Sequence, residues 1–168
     1  MCKAKIYRRD VIHLSTPVAN RSNANARSTF GPFIQLLLLQ VEINDDLTVL
    51  DLCRVVKRTL SDSYRHRSFR LTDLLREVSV LPSRPYDTRI SYEKFNYTQT
   101  FGEYEAQIVA LSNESEDDPV SIHIMDHGNG SLEFRLDFNS AYLSSAEAAQ
   151  LTTSYQYVLD RFLLQEST

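Results

Sequence analysis

The chain has no tryptophan, and only four glycines and two cysteines in 168 residues. So few glycines, none at the required spacing, exclude a glycine-rich phosphate loop. Cys2 and Cys53 do not make a disulfide framework; both read as free thiols, as in a reducing compartment. Long apolar runs are also missing. The longest, Phe33-Ile34 and Leu36 to Leu39, is interrupted by Gln35 and ended by Gln40, far short of the roughly 18–20 residues that cross a bilayer. Met1-Cys2-Lys3-Ala4-Lys5 leads into no signal-type apolar core. No membrane partner is expected, and the cytoplasm is the expected location. No serine stands in a Gly-x-Ser-x-Gly elbow.

What is present is the composition of a globular domain: 42% hydrophobic residues, 10% aromatic and 24% charged. The length suits one domain with its own core. The net charge of -4 hides an asymmetry. Residues 1–89 hold 15 Lys/Arg against 9 Asp/Glu, whereas residues 90–168 hold 3 against 13. Differently solvated faces produce such a split, and so does a basic face that docks an acidic partner.

Residues 6–18 open with a β-type run (Val11, Ile12, Leu14) that ends at Pro17. Residues 19–29 are polar turn formers and read as a loop. Phe33 to Ile43 fits a buried strand. Thr48-Val-Leu-Asp51 is a capping box, and apolar residues at 49, 52, 53, 56, 60 and 64 predict a helix over 48–66 with that stripe inward. Leu71, Leu74, Leu75 and Val78 mark a shorter helix stopped by Pro82. The period then becomes two. Leu132, Phe134, Leu136 and Phe138 alternate with polar residues, as do Val120, Ile122 and Ile124, and His127-Gly-Asn-Gly-Ser131 between them is a hairpin turn. Arg89 to Tyr97 and Tyr104 to Leu111 are further strand candidates, with an acidic surface loop at 113–118. A second capping box, Ser144-Ser-Ala-Glu147, opens a helix whose face is Ala148, Leu151, Tyr155, Val158 and Phe162. The order β-β-α-α-β-β-β-β-α predicts an α+β fold, a mixed sheet with helices packed on it.

His123 and His127 have a familiar ligand spacing, but only on a helix. On a strand, four residues separate them by roughly 13 Å, too far for one zinc with bonds of about 2 Å. No metal is therefore expected, and both histidines read as solvent-facing. The basic cluster Arg54, Lys57, Arg58, Arg65, Arg67 and Arg70 lies on and after one amphipathic helix of an acidic chain. It reads as a solvated helix face and not as a nucleic-acid site.

Two segments carry a family resemblance: Thr16-Pro-Val-Ala-Asn-Arg-Ser-Asn23 and Phe30-Gly-Pro-Phe-Ile-Gln35. An apolar strand, an Asn-Arg loop and then aromatic-Gly-x-Phe-Ile before a hydrophobic strand resembles the middle of condensation domains of nonribosomal peptide synthetases. That family commonly has Gly-x-Phe-Val-Asn-Thr. Gly31, Phe33 and Ile34 fit it, while Gln35 and Leu36 depart from it, and Gln40 stands near an expected Arg. His66-Arg-Ser-Phe-Arg-Leu-Thr-Asp73 keeps the outline of a following His-Gln element, and Arg84 to Glu93 looks like the next strand entry. The resemblance implies a chloramphenicol acetyltransferase-like αβ sandwich. In the family, two such subdomains flank a channel into which carrier proteins deliver thioesters on phosphopantetheine arms.

The resemblance covers about residues 10–165, and it implies that residues 1–168 are a single domain similar to the second, C-terminal subdomain, with that span as its core. The family's His-His-x-x-x-Asp-Gly motif belongs to the first, N-terminal subdomain and has no counterpart here, where no two histidines are adjacent. The resemblance therefore implies no catalytic residue, no directly bound cofactor, and an inactive isolated chain that lacks its N-terminal partner subdomain. Thr16, Asn20, Arg21, Gly31 and Phe33 are the expected channel contacts, serving in positioning and packing. Arg54, Lys57, Arg58 and Arg65 are the expected docking residues for acidic carrier proteins. The alternatives are a non-catalytic carrier-protein-binding module and a small acyltransferase with its own nucleophile or base, for which the residues offer no candidate.

Overall fold

The computed structural model describes residues 10–44, 46–77, 85–94, 99–106 and 115–165. Two nine-residue strands, β1 (Val11–Ala19) and β2 (Ile34–Glu42), pair antiparallel along their whole length, from Val11 opposite Glu42 to Ala19 opposite Ile34. β1 runs through Pro17 instead of ending there. Its other edge pairs only at Leu14 and Ser15, so the missing Pro17 N–H leaves no parallel ladder bond unmade. Between the two strands, the expected loop contains a short helix, α1 (Ala24–Ser28).

After β2 come α2 (Val49–Arg65) and α3 (Leu71–Glu77), then β3 (Thr88–Lys94), which joins β1 in parallel. A small separate hairpin follows, β4 (Gln99–Phe101) with β5 (Tyr104–Ala106). β6 (Val120–Asp126) then adds parallel to β3, and β7 (Leu132–Phe138) turns back antiparallel on β6. The result is one mixed sheet in the order β2-β1-β3-β6-β7, and α4 (Ser145–Gln165) closes the fold. The expected mixed sheet with helices is what forms. Val78, Pro82 and residues 107–114 lie outside the described residues.

The register sorts the side chains onto two faces. One carries Ile12, Leu14, Leu37, Leu39, Val41, Ile90, Val120, Ile122 and Leu136. Of these, Leu37, Leu39, Val41 and Val120 are among the most buried residues of the chain. Each such side chain contributes about 1.5–3 kcal/mol of apolar transfer energy on burial. The other face carries Leu36 and Leu38 on β2 but is polar across the next four strands: Ser15, Arg89, Ser121 and Asp137 stand in one row, and Ser91, His123 and Arg135 in the next.

α2 starts as the capping box predicts. Thr48 Oγ1 accepts from the Asp51 amide at 3.2 Å and donates to the Asp51 carboxylate at 2.5 Å. Its orientation differs from the expectation. Val49, Asp51 and Leu52 in the first turn and then Val55, Thr59 and Ser63 are half-buried, with Ser63 Oγ donating to the Leu38 carbonyl at 3.3 Å. Cys53, Val56, Leu60 and Tyr64 of the predicted inward stripe are exposed. The reason is position: α2 packs on β2, the outer strand of the sheet, so its apolar stripe is wider than the surface that receives it. The second capping box also forms, Ser144 N donating to Glu147 Oε2 at 2.8 Å, and Leu151 on the predicted face of α4 is buried.

Candidate channel-wall loop, docking helix and polar sheet face

The connection from β1 to β2 is organised by one arginine. Arg21 donates to the carbonyls of Ala26, Thr29 (2.7 Å) and Gly31 (2.9 Å), and its guanidinium stacks 4.2 Å over the Phe33 ring. A planar fork of donors can hold several carbonyls and a ring at once, which a point-charge lysine cannot do. Asn23 caps α1 by accepting from the Ala26 amide at 2.8 Å, and the Asn20 amide donates to the Phe33 carbonyl at 3.0 Å. Gly31 sits at φ +144°, where a Cβ would meet only Phe33 at 4.0 Å, so backbone conformation and not space favours glycine. Asn20, Arg21, Gly31 and Phe33 thus form one cluster, while Thr16 lies inside β1, paired with Leu37. The Asn20 Oδ1 atom is buried with no hydrogen-bond partner among the described residues. Beside this cluster, Phe30 and Ile34 are exposed.

The four basic residues expected to dock a partner all lie on α2 and are exposed. Arg54 pairs with Asp51 at 2.9 Å, and Arg65 and Arg58 flank Asp62 at 3.1 and 4.0 Å. Such surface pairs are weak and readily exchanged. Lys57 has no ion-pair partner among the described residues. The hydrogen bond from Thr48, with help from Arg54, holds the Asp51 carboxyl below its ordinary range. Where α2 and α3 meet β2, a groove of about 600 Å³ is lined by Leu36, Leu38, Ser63, His66, Phe69 and Leu74.

The polar sheet face could not be foreseen from alternation alone. The loop expected to be an acidic surface segment turns inward at its end: Asp118 is 2% exposed and pairs with Arg89, which also lies 4.0 Å from Glu116. His123, expected to face solvent, is half-buried between carboxylates, Nε2 being 3.5 Å from Asp137 and Nδ1 3.6 Å from Glu93. Arg135 donates to Asp137 at 3.1 Å, and Ser91 donates to Glu93 at 2.8 Å. His127 stands apart, 3.3 Å from Glu133. Strict alternation identifies which residues share a face, but whether that face is wet depends on what else reaches it, here residues 116–118.

On the apolar face, at the end of β6, Asp126 accepts from Tyr92 Oη at 2.5 Å and from the Gly128 amide at 2.8 Å, with Lys94 at 3.2 Å. These donors, Tyr92 first, lower its pKa to about 2.

Among known proteins, the condensation-domain family matches residues 3–167. The chain belongs to that family. Nonribosomal peptide synthetase vlms of Lecanicillium sp is 25% identical over 134 residues, covering 77% of this chain and 1% of that protein. Nonribosomal peptide synthetase dtxS1 of Metarhizium robertsii is 27% identical over 131 residues, 76% of this chain and 2% of that one. The starter condensation domain of rhizomide synthetase RzmA matches in structure with a TM-score of 0.78 at 18% identity, covering 99% of this chain and 40% of that chain. The condensation-domain chain thus spans a small part of these synthetases and less than half of the solved domain. It has the chloramphenicol acetyltransferase-like fold that the resemblance implied. Among the described residues, no helix is long and apolar enough to cross a membrane.

Proposed function

We propose that this condensation-domain chain forms one wall of a channel in which carrier-tethered aminoacyl or peptidyl thioesters are joined. There the amine of one substrate attacks the thioester carbonyl of the other, an amide C–N bond forms, the C–S bond breaks, and the thiol leaves protonated. The observation that carries this reading is the family match over residues 3–167, on a sheet that superposes on solved condensation domains. These residues contain no His-His-x-x-x-Asp-Gly motif, so the reactive imidazole comes from outside the sequence and the chain carries out no condensation by itself. Thr16, Asn20, Arg21, Gly31 and Phe33 hold the wall in shape and position substrate without moving protons. The substrates arrive on phosphopantetheine arms, and the amide-forming step uses no cofactor held by this chain. The exposed thiol of Cys53 suits a reducing cytoplasm.

The test is direct. The chain is mixed with donor and acceptor carrier proteins, both loaded, with and without a separately supplied N-terminal subdomain bearing the histidine motif, and amide product is followed by mass spectrometry. Product only in the complemented mixture is expected. Product from the chain alone would overturn the reading. A second reading, a non-catalytic module that binds carrier proteins, is favoured by the exposed basic face of α2. It requires carrier binding without product even in the complemented mixture.

A further inference from the structure

The polar sheet face holds a side-chain set that neither the condensation reaction nor carrier docking uses. We infer that Glu116, His123 and Asp137 form a binding site for one divalent transition-metal ion of the zinc type. One ligand atom from each lies within 4.8 Å of the other two, and all three residues are half-buried. The His123 Nε2 to Asp137 Oδ2 separation of 3.5 Å is longer than an ordinary N–H···O bond of about 2.9–3.0 Å. It comes close to the roughly 3.4 Å edge of a tetrahedron built from bonds of about 2.0–2.1 Å. Side-chain rotation at Glu116 closes the set, and the remaining position is open to water.

Three further observations point the same way. On the side of His123 away from Asp137 lies Glu93, Nδ1 to Oε1 being 3.6 Å, longer than a hydrogen bond but within a small rotation of the arrangement in which a carboxylate orients a metal-ligating imidazole through its other nitrogen. Ser121 is fully buried, and its hydroxyl has no hydrogen-bond partner among the described residues. It shares the cluster's sheet face, opposite Asp137 in register and two residues before His123, where it can bond a metal-bound water. The charges also balance. Arg89, between Asp118 and Glu116, and Arg135, on Asp137, are two positive charges among the four carboxylates Glu93, Glu116, Asp118 and Asp137, an excess of two negative charges for a dication to meet. An imidazole with carboxylates favours zinc over magnesium or calcium, which take oxygen ligands.

Titration calorimetry of the full chain with Zn2+ in metal-free buffer is expected to show one ion per chain. His123→Ala and Glu116→Gln should each weaken binding at least about tenfold. Glu93→Gln should weaken it less, and millimolar Mg2+ should not compete. Circular dichroism checks that each variant is folded, and Glu116→Gln, at a partly exposed position, serves if His123→Ala is not. A visible spectrum of the wild-type chain loaded with Co2+ alone gives a readout of nitrogen and oxygen coordination that needs no variant. Cys53→Ser and His127→Ala should bind as wild type. The inference is overturned if Zn2+ shows no saturable binding, if binding survives both His123→Ala and Glu116→Gln, or if it is lost in Cys53→Ser.

Discussion

Asp126 shows how much one side chain can gather at the end of a strand. It takes a phenol proton, a backbone amide and an ammonium, and together these lower its pKa from 3.8 to about 2. A carboxylate depressed in the folded state contributes stability above its unfolded pKa, and that contribution is lost as pH falls through the folded value. Denaturation midpoints followed from about pH 5 down to about pH 2 should therefore drop more steeply in the wild type than in Asp126→Asn, and parallel curves would refute the assignment. Arg21 makes a second residue-level case. Arg21→Lys keeps the charge but cannot hold three carbonyls and stack on Phe33, so a loss of about 1–3 kcal/mol in urea denaturation is expected, and an unchanged midpoint would show that the fork is dispensable. Gly31 and Phe33 could be picked out in the sequence as a motif. The grip of Arg21 on residues 26, 29 and 31 could not, because a side chain reaching carbonyls 5 to 10 positions away leaves no periodic mark.

Elements with caps were the easiest to read. Thr48 and Ser144 announce α2 and α4 because a capping box fixes both a residue type and a spacing, and both boxes form. Thr48→Ala is expected to cost about 0.5–2 kcal/mol, read from thermal or urea unfolding, and retained stability would mean the box is not what starts α2. By contrast α1 is five residues long, too short for a 3.6-residue rhythm, and exists because Asn23 and Arg21 hold its ends. The orientation of α2 was also hidden. Its apolar stripe is in the sequence, but which part meets the sheet depends on β2 being an outer strand, a fact of topology. The same orientation leaves Arg54, Lys57, Arg58 and Arg65 in solvent. If they dock an acidic carrier protein, Arg58→Glu with Arg65→Glu should weaken binding, and binding to the wild type should fall as salt rises. Affinity unchanged by both would remove the docking role.

Over the whole molecule, the charge split along the chain becomes a division of labour. Four exposed basic residues of the first half, Arg54, Lys57, Arg58 and Arg65, lie on α2, whereas Glu116, Asp118, Asp126 and Asp137 of the acidic second half are drawn in against or within the sheet. The apolar balance is less complete. Phe30 and Ile34 at the β1–β2 connection, and Leu50, Val56, Leu60 and Tyr64 along α2, remain exposed. Large apolar side chains gathered on one helix and one loop favour association, because each removes apolar area from water when it meets another copy. Light scattering coupled to size-exclusion chromatography should show a mass that rises with concentration. Val56→Lys with Leu60→Lys, both on the exposed side of α2, should move it toward the 19.3 kDa of a single chain without lowering the unfolding midpoint. A monomer at every concentration would mean that this apolar surface is too dispersed to hold a second copy.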